Sequence, residues 1–90
     1  MIIKYENSFS TALFKIIRYI AKDKKSSAIK FKNDLKEKVS LLEYSPYMCR
    51  ESIYFKNENY RDLIFKGYTI IYKIDGNIIK ILDIFKWESK

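Results

Sequence analysis

The first half of the chain shows one strand pattern followed by two helical patterns. Residues 1–5 are rich in β-branched and aromatic side chains and predict a short strand. Apolar side chains then recur three and four residues apart over residues 9–20 and again over residues 28–42. This spacing predicts two amphipathic helices. Because only the polar residues 23–27 separate them, the helices are expected to form an antiparallel hairpin.

Local signals predict where these two helices begin and end. Ser8 or Ser10 is expected to cap the first helix, since a serine hydroxyl can accept a hydrogen bond from a free amide of the first turn. Ser45-Pro46 is expected to end the second helix, because a residue that precedes proline is disfavoured in the α region.

The pattern of the second half of the chain predicts strands. Residues 61–66 and 68–74 are rich in Ile, Leu, Phe and Tyr and are separated by Gly67. Asp75-Gly76 predicts a tight hairpin turn, after which residues 78–85 return as a nearly continuous apolar strand. Residues 51–55 are a further candidate strand, and residues 56–59 read as a polar loop.

The order β-α-α-β-β-β predicts an α+β fold, in which the helical hairpin packs on one face of a small antiparallel sheet. We expect one domain over residues 1–90. Within it, alternation along the second of the C-terminal strands places Tyr68, Ile70, Tyr72 and Ile74 on one face. Tyr68 and Tyr72 are therefore expected to belong to the core or its margin.

The amino-acid composition limits the kinds of catalytic and metal site that the chain can form. The chain has 90 residues, 48% of them hydrophobic and 17% aromatic, which is typical of a small folded domain. It contains one cysteine, Cys49, and no histidine, so a disulfide framework, a thiolate zinc site, imidazole bases and His-ligated metals are excluded. We expect neither a metal nor another cofactor. No role is predicted for Cys49, because no histidine is present to act as its base.

Charge and targeting signals suggest the kind of partner and the compartment. The 18 Lys and Arg residues against 11 Asp and Glu residues give a net charge of +7, which favours nucleic acid or an acidic protein as a partner. The N-terminal residues carry charges where a signal peptide would be apolar, and no apolar run is long enough to cross a membrane. We therefore expect a cytoplasmic protein without a membrane partner.

An ordered set of motifs points to a family. Arg61-x-Leu63 is followed by Tyr68-x-Ile70-x-Tyr72, a tight turn, and then Ile-x-Ile-Leu-x-Ile over residues 79–84. This set resembles the RelE/ParE superfamily, the toxins of type II toxin–antitoxin systems of the plasmid-stabilisation type. Residues 13–23 resemble the first helix of that family, and residues 28–46 its second helix and following proline. The resemblance covers nearly the whole chain.

The resemblance implies a curved sheet and one of two mechanisms of growth inhibition. RelE-like toxins cut mRNA on the ribosome, whereas ParE-like toxins inhibit DNA gyrase. The C-terminus has neither the catalytic Tyr nor the His of many ribosome-dependent members, and Lys86 takes the place of a His found in many ParE-like members. The resemblance therefore favours a ParE-like toxin. The alternatives are a RelE-like mRNA endoribonuclease and a non-toxic basic binding module.

A toxin of this kind implies a cognate acidic antitoxin. We expect the antitoxin to form a hetero-oligomer with the chain and to bind largely over the apolar groove between the helical hairpin and the sheet. The target would be DNA gyrase for a ParE-like toxin, or the ribosome and its mRNA for a RelE-like one.

Six residues are the candidates for binding the target. They combine positive charge with one aromatic side chain, and they are Arg50, Lys56, Arg61, Lys66, Lys86 and Trp87. In an RNA-cleaving member the catalytic candidates are Arg61, Lys66 and Lys86, since a lysine can act as base and an arginine can bind phosphate bidentately. Tyr60, Tyr68, Tyr72 and Trp87 could stack on bases. Alternatively, Arg61 is a structural residue that pairs with Asp62 or Asp83.

Overall fold

The computed structural model describes residues 1–86, which form two helices packed against a five-stranded sheet. In chain order the elements are β1 (Ile2–Tyr5), α1 (Asn7–Asp23), α2 (Lys25–Ser40), a 3₁₀ turn (Leu41–Glu43), β2 (Arg50–Glu51), β3 (Tyr60–Phe65), β4 (Tyr68–Asp75) and β5 (Ile78–Lys86). The predicted α+β architecture is confirmed.

The sheet is mixed, with the strand order β1-β5-β4-β3-β2. Strands β2 to β5 pair antiparallel, as the hairpin signals predicted. Strand β1 runs parallel to β5 and pairs with its first half, from Ile2 opposite Ile78 to Tyr5 opposite Ile81. A parallel pair needs a long connection, and here the helical hairpin and strands β2 to β4 all lie between β1 and β5 in the sequence.

The core lies between the helical hairpin and this face of the sheet. Phe9 of α1 and Leu35 and Val39 of α2 are fully buried, as the helical periodicity predicted. They meet Ile70 and Tyr72 of β4, which confirms that the even-numbered residues of β4 face the core. Burial of so many large side chains is the main favourable contribution to folding of this small chain.

The ends of the helices differ from the sequence predictions. Helix α1 begins at Asn7, and the residue before it, Glu6, makes no side-chain cap. The predicted cap by Ser8 or Ser10 is wrong, because both lie inside α1 and the Ser8 hydroxyl donates instead to the carbonyl of Leu82 in β5. The break between the helices is a single extended residue, Lys24, rather than residues 23–27.

The following segment is also less regular than predicted. Helix α2 ends at Ser40, and the 3₁₀ turn carries the chain towards Pro46, so the proline lies beyond the helix rather than at its end. Strand β2 has only two residues, and residues 52–55 are not a strand, because Ser52 begins a turn in which its hydroxyl accepts a hydrogen bond from the amide of Tyr54. The two-residue turn between β3 and β4 has positive φ at Lys66 (48°) and Gly67 (83°), which glycine tolerates readily.

None of the helices within residues 1–86 is both long enough and apolar enough to cross a membrane.

Candidate functional site

An open groove of about 810 Å³ lies between one flank of α1 and the ends of β4 and β5. Its apolar floor includes Ala12 and Ile16 of α1 and Ile84 of β5. Positive charge stands on both walls, at Lys15 of α1 and Lys86 of β5. We call this surface the groove.

The groove exists because β1 is shorter than β5. Strand β1 ends at Tyr5, opposite Ile81, and Glu6 then leads directly into α1. Within residues 1–86, the second half of β5 therefore continues to Lys86 without a paired strand on the β1 side. Since α1 crosses over β5, the uncovered half of this strand becomes one wall and the flank of α1 becomes the other.

The flank of α1 beside the groove is basic and aromatic. Lys15, Arg18 and Lys22 recur at helical spacing and surround Tyr19, whose side chain is 72% exposed. None of the ion pairs formed within residues 1–86 uses any of these cations or Lys86. Their charge therefore remains available to a negatively charged partner.

A second polar cluster holds the loop that precedes β3. The guanidinium of Arg61 donates to the carbonyl of Glu58 at 2.8 Å and to the carbonyl of Cys49 at 3.0 Å. It also lies over the ring of Tyr47, with 4.9 Å from its central carbon to the ring centroid. Arg61 thus ties the two ends of residues 49–58 together. With Arg50, Asp62 and Tyr72, described next, it forms a unit that we call the clamp.

Asp62 is the buried carboxylate of the clamp. Its side chain is fully buried, and one oxygen, Oδ2, accepts hydrogen bonds from the amide of Ile53 at 3.1 Å and from Arg50 at 3.4 Å. Its other oxygen, Oδ1, has no hydrogen-bond partner within residues 1–86. Arg50 therefore provides the neutralising charge that a buried carboxylate requires.

Tyr72 completes the clamp from inside the core. Its hydroxyl donates to the carbonyl of Pro46 at 2.7 Å, and burial raises the pKa of this phenol well above its usual value. The tyrosine therefore stays neutral and acts as a hydrogen-bond donor that fixes the start of the loop against the sheet.

Lys66 also pairs with another part of the protein, through an ion pair at the surface. Its ammonium group lies 2.8 Å from Asp34 of α2, which also pairs with Lys30 at 3.2 Å. The hydrogen bond from Lys66 holds the pKa of Asp34 below its usual value. This pair joins the β3–β4 turn to the helical hairpin.

The structure does not bring the predicted site residues into one cluster. Arg50, Arg61 and Lys66 each contact groups of the chain itself. Lys56 is exposed on the loop before β3, and Lys86 lies in the groove. Trp87 lies outside the described residues.

Of the three catalytic candidates, Arg61 lies apart, whereas Lys66 and Lys86 lie at the same end of the sheet, where Phe65, Tyr68 and Lys86 are neighbours across β3, β4 and β5. Arg61 and Lys66 are five residues apart, which corresponds to about 16 Å along an extended strand. Arg61 does not pair with Asp62 or Asp83, since it is the carbonyl oxygens of the loop that accept its hydrogen bonds. The alternative of a structural arginine is thus supported, although the predicted acidic partner is wrong.

The tyrosines proposed to stack on nucleic-acid bases already pack against other side chains of the protein. Tyr72 is buried, and Tyr68 packs against the core at an edge-to-face angle of 73° to Phe31. Tyr60 already stacks on Phe55 with 4.2 Å between ring centroids. Within residues 1–86, no group of three or more Asp, Glu or Cys side chains is placed to hold a metal ion.

Sequence reasoning did not assign Lys15 or Tyr19 to a site. The helical period had shown that Lys15 faces away from the core, but the site depends on β5 extending beyond β1. The sequence predicted both strand lengths, but it does not reveal that β1 pairs with the first half of β5 and leaves the second half uncovered.

Comparison with known proteins gives a family and a fold. The sequence model of the family described as the ParE toxin of the type II toxin–antitoxin system parDE matches residues 3–88. A solved structure described as the chromosomal ParDE TA system from P. aeruginosa superimposes with a TM-score of 0.78 at 21% sequence identity, over 98% of this chain and 97% of that one. The search of curated proteins finds no match.

Proposed function

Because the chain belongs to the ParE toxin family of type II toxin–antitoxin systems, we propose that it inhibits growth by acting on DNA gyrase in the cytoplasm. We further propose that a cognate acidic antitoxin binds it and neutralises it. The similar structure is described as a ParDE toxin–antitoxin system, which supports a partner of this kind.

The separation of Arg61 from Lys66 and Lys86, together with the internal contacts of Arg61 and Lys66, is the observation that favours gyrase over RNA cleavage. Cleavage by a 2′-hydroxyl needs a base, a proton donor and cations gathered around one phosphate. The chain has no histidine, and Arg61 and Lys66 are occupied by contacts to Cys49 and Asp34 respectively. This arrangement supports a toxin that acts by binding rather than by cleaving RNA.

The groove supports the antitoxin part of the proposal. It combines an apolar floor with cations that form no ion pair within residues 1–86, so an acidic segment can bury apolar side chains on Ile16 and Ile84 and place carboxylates near Lys15 and Lys86. A chain of net charge +7 attracts such a segment at long range and speeds the encounter.

A supercoiling assay with purified gyrase tests the target. The purified chain should inhibit supercoiling of relaxed plasmid, and addition of the protein encoded by the adjacent reading frame should restore it. Induction in growing cells should produce filamentation and DNA-damage signalling.

Primer extension on an abundant transcript tests the alternative, in which the chain cleaves mRNA. Codon-phased cuts that appear within minutes of induction, with gyrase unaffected, would establish the RNA-cleaving alternative. A chain that affects neither growth nor supercoiling would instead be a non-toxic binding module.

A further inference from the structure

Most of the positive charge of the chain lies on the helical hairpin. Residues 15–38, which run from the middle of α1 to near the end of α2, contain nine Lys and Arg residues against three Asp and Glu residues. Their net charge of +6 accounts for nearly all of the +7 of the whole chain. Lys15 of α1 lines the groove, but no residue of α2 does, so the groove leaves the charge of α2 unused.

Three lysines form a row along one side of α2. Lys25, Lys32 and Lys36 are seven and four residues apart, which is close to two turns and one turn of an α-helix, so they lie on the same side of it. All three are exposed, and none takes part in an ion pair within residues 1–86. From first to last they extend over about 16 Å of the helix. We call these three residues the lysine stripe.

The acidic residues of α2 do not neutralise the lysine stripe. Asp34 pairs with Lys30 at 3.2 Å and with Lys66 at 2.8 Å. Glu37 follows Lys36 in the sequence and is therefore turned about 100° away from it round the helix axis. It forms no ion pair within residues 1–86. The electrostatic potential beside the lysine stripe is therefore positive.

This arrangement of charge does not help the helix to form. Lys32 and Lys36 are four residues apart, a spacing at which like charges repel each other across one turn. Lys25 lies in the first turn of α2, which has no acidic residue, although the helix dipole favours negative charge there. Positions that oppose local stability are expected at functional sites, which indicates that the lysine stripe serves binding.

The surface around the lysine stripe suits a phosphate backbone better than a protein. Protein interfaces are rich in aromatic side chains and poor in lysine. The one aromatic residue of α2, Phe31, is buried, and Ile29 is the one large apolar side chain that α2 exposes. The exposed neighbours of the stripe include Ser26 and Asn33, and Lys, Ser and Asn side chains commonly contact DNA phosphates. Without an exposed aromatic side chain, α2 offers no platform on which unpaired bases could stack.

We propose that the lysine stripe binds the phosphate backbone of duplex DNA without regard to base sequence. A length of about 16 Å corresponds to about five base pairs, over which the backbone presents a continuous series of phosphates. The inference goes beyond the proposed function, because it gives the chain its own contact with the DNA on which gyrase acts.

Fluorescence anisotropy with a labelled duplex of about 30 base pairs tests the lysine stripe without gyrase or antitoxin. The logarithm of the association constant should fall with the logarithm of the salt concentration, with a slope of about −3 or steeper, as about three phosphate contacts require. Lys25→Gln/Lys32→Gln/Lys36→Gln should bind at least about tenfold more weakly at about 50 mM salt, with a slope shallower by about 3. Glutamine has nearly the helix propensity of lysine, so this variant should melt no lower than the wild type.

The matched control removes the same charge from the opposite face of the molecule. Lys4, Lys80 and Lys73 lie opposite one another on β1, β5 and β4. They face away from the helices, because their strand neighbours Ile79 and Tyr72 belong to the core beneath the helices. Lys4→Gln/Lys73→Gln/Lys80→Gln should retain the DNA affinity of the wild type within about threefold, since salt screens charges on the distant face.

Four results would overturn the proposal. They are equal loss of DNA affinity in the two triple variants, tighter binding to a single strand of the same length than to the duplex, no DNA binding by the folded wild type, and a stripe variant that loses affinity for the protein encoded by the adjacent reading frame but not for DNA. In the last case the occupant is an acidic protein.

The supercoiling assay separates this proposal from the proposed function. A wild-type chain that binds the duplex through the lysine stripe but leaves gyrase active would contradict the proposed function alone. A wild-type chain that inhibits gyrase without binding the free duplex would contradict the lysine stripe alone.

Discussion

In the clamp, Arg50 and Arg61 direct their positive charge at groups of the chain itself, whereas in the groove Lys15 and Lys86 form no ion pair within residues 1–86. The clamp holds a 15-residue connection, residues 45–59, that contains only the two residues of β2 as regular structure. The groove needs no such support, because α1 and β5 are regular. The contrast between the clamp and the groove indicates that Arg50 and Arg61 stabilise the fold, whereas Lys15 and Lys86 can bind a partner.

Arg61→Ala should produce the largest loss of stability. It removes two charge-assisted hydrogen bonds, to Glu58 and Cys49, together with the contact over Tyr47. We expect the free energy of unfolding to fall by about 3 kcal/mol, which lowers the melting temperature by roughly 12–24 °C in a chain of this size. Thermal unfolding followed by circular dichroism checks this.

Arg61→Lys is the matched control, because it retains the positive charge but loses the planar guanidinium group that donates to both carbonyls. It should be nearly as destabilised as Arg61→Ala. If Arg61→Ala melts like the wild type and is merely non-toxic, Arg61 belongs to the surface that contacts the target and the clamp is misassigned.

Arg50→Met should have the next largest effect. Of the donors within residues 1–86, it leaves the buried carboxylate of Asp62 with only the amide of Ile53. Because Arg50 is partly exposed, we expect a loss of about 2 kcal/mol in the free energy of unfolding. Chemical denaturation measures it.

Asp62→Asn in the Arg50→Met background tests whether the unpaired charge of Asp62 causes this loss of stability. A neutral amide in place of the carboxylate removes the unpaired charge, so the double variant should be more stable than Arg50→Met alone. A double variant that is less stable, by the sum of the two single losses, would show that charge pairing is not what couples these residues.

Acid pH should produce the smallest effect, at the surface pair between Lys66 and Asp34. The pKa of Asp34 is lowered in the folded chain, so its contribution to stability is present above the unfolded value of 3.8 and is lost as the pH falls through the lower folded value. The wild type should therefore lose slightly more thermal stability between pH 5 and pH 3 than Asp34→Asn does. Equal losses would show that this exposed pair adds nothing measurable.

The sequence predicted the helices, the β3–β5 meander and the core because each depends on a local period. Phe9, Leu35 and Tyr72 are buried as their spacing required. The limits of the elements were less predictable, since the start of α1 and the turn at Ser52 depend on contacts with β5 and β3.

The site was only partly predictable for the same reason. Positive charge and the groove between helices and sheet were expected, and Lys86 does line the groove. Three of the expected binding cations instead contact Asp62, Cys49 and Asp34, because the β2–β3 register and the β3–β4 turn bring those groups within reach. Such contacts between distant parts of the chain leave no pattern in a single sequence.

Lys15→Glu tests most directly the claim that the groove binds while the clamp holds the fold. The residue lies on the groove wall, its side chain is exposed, and it takes part in none of the ion pairs within residues 1–86. Isothermal titration with the protein encoded by the adjacent reading frame should give an affinity at least about tenfold weaker than that of the wild type, at an unchanged melting temperature. Wild-type affinity in this variant, together with lost affinity in a folded Arg61→Lys protein, would contradict the account.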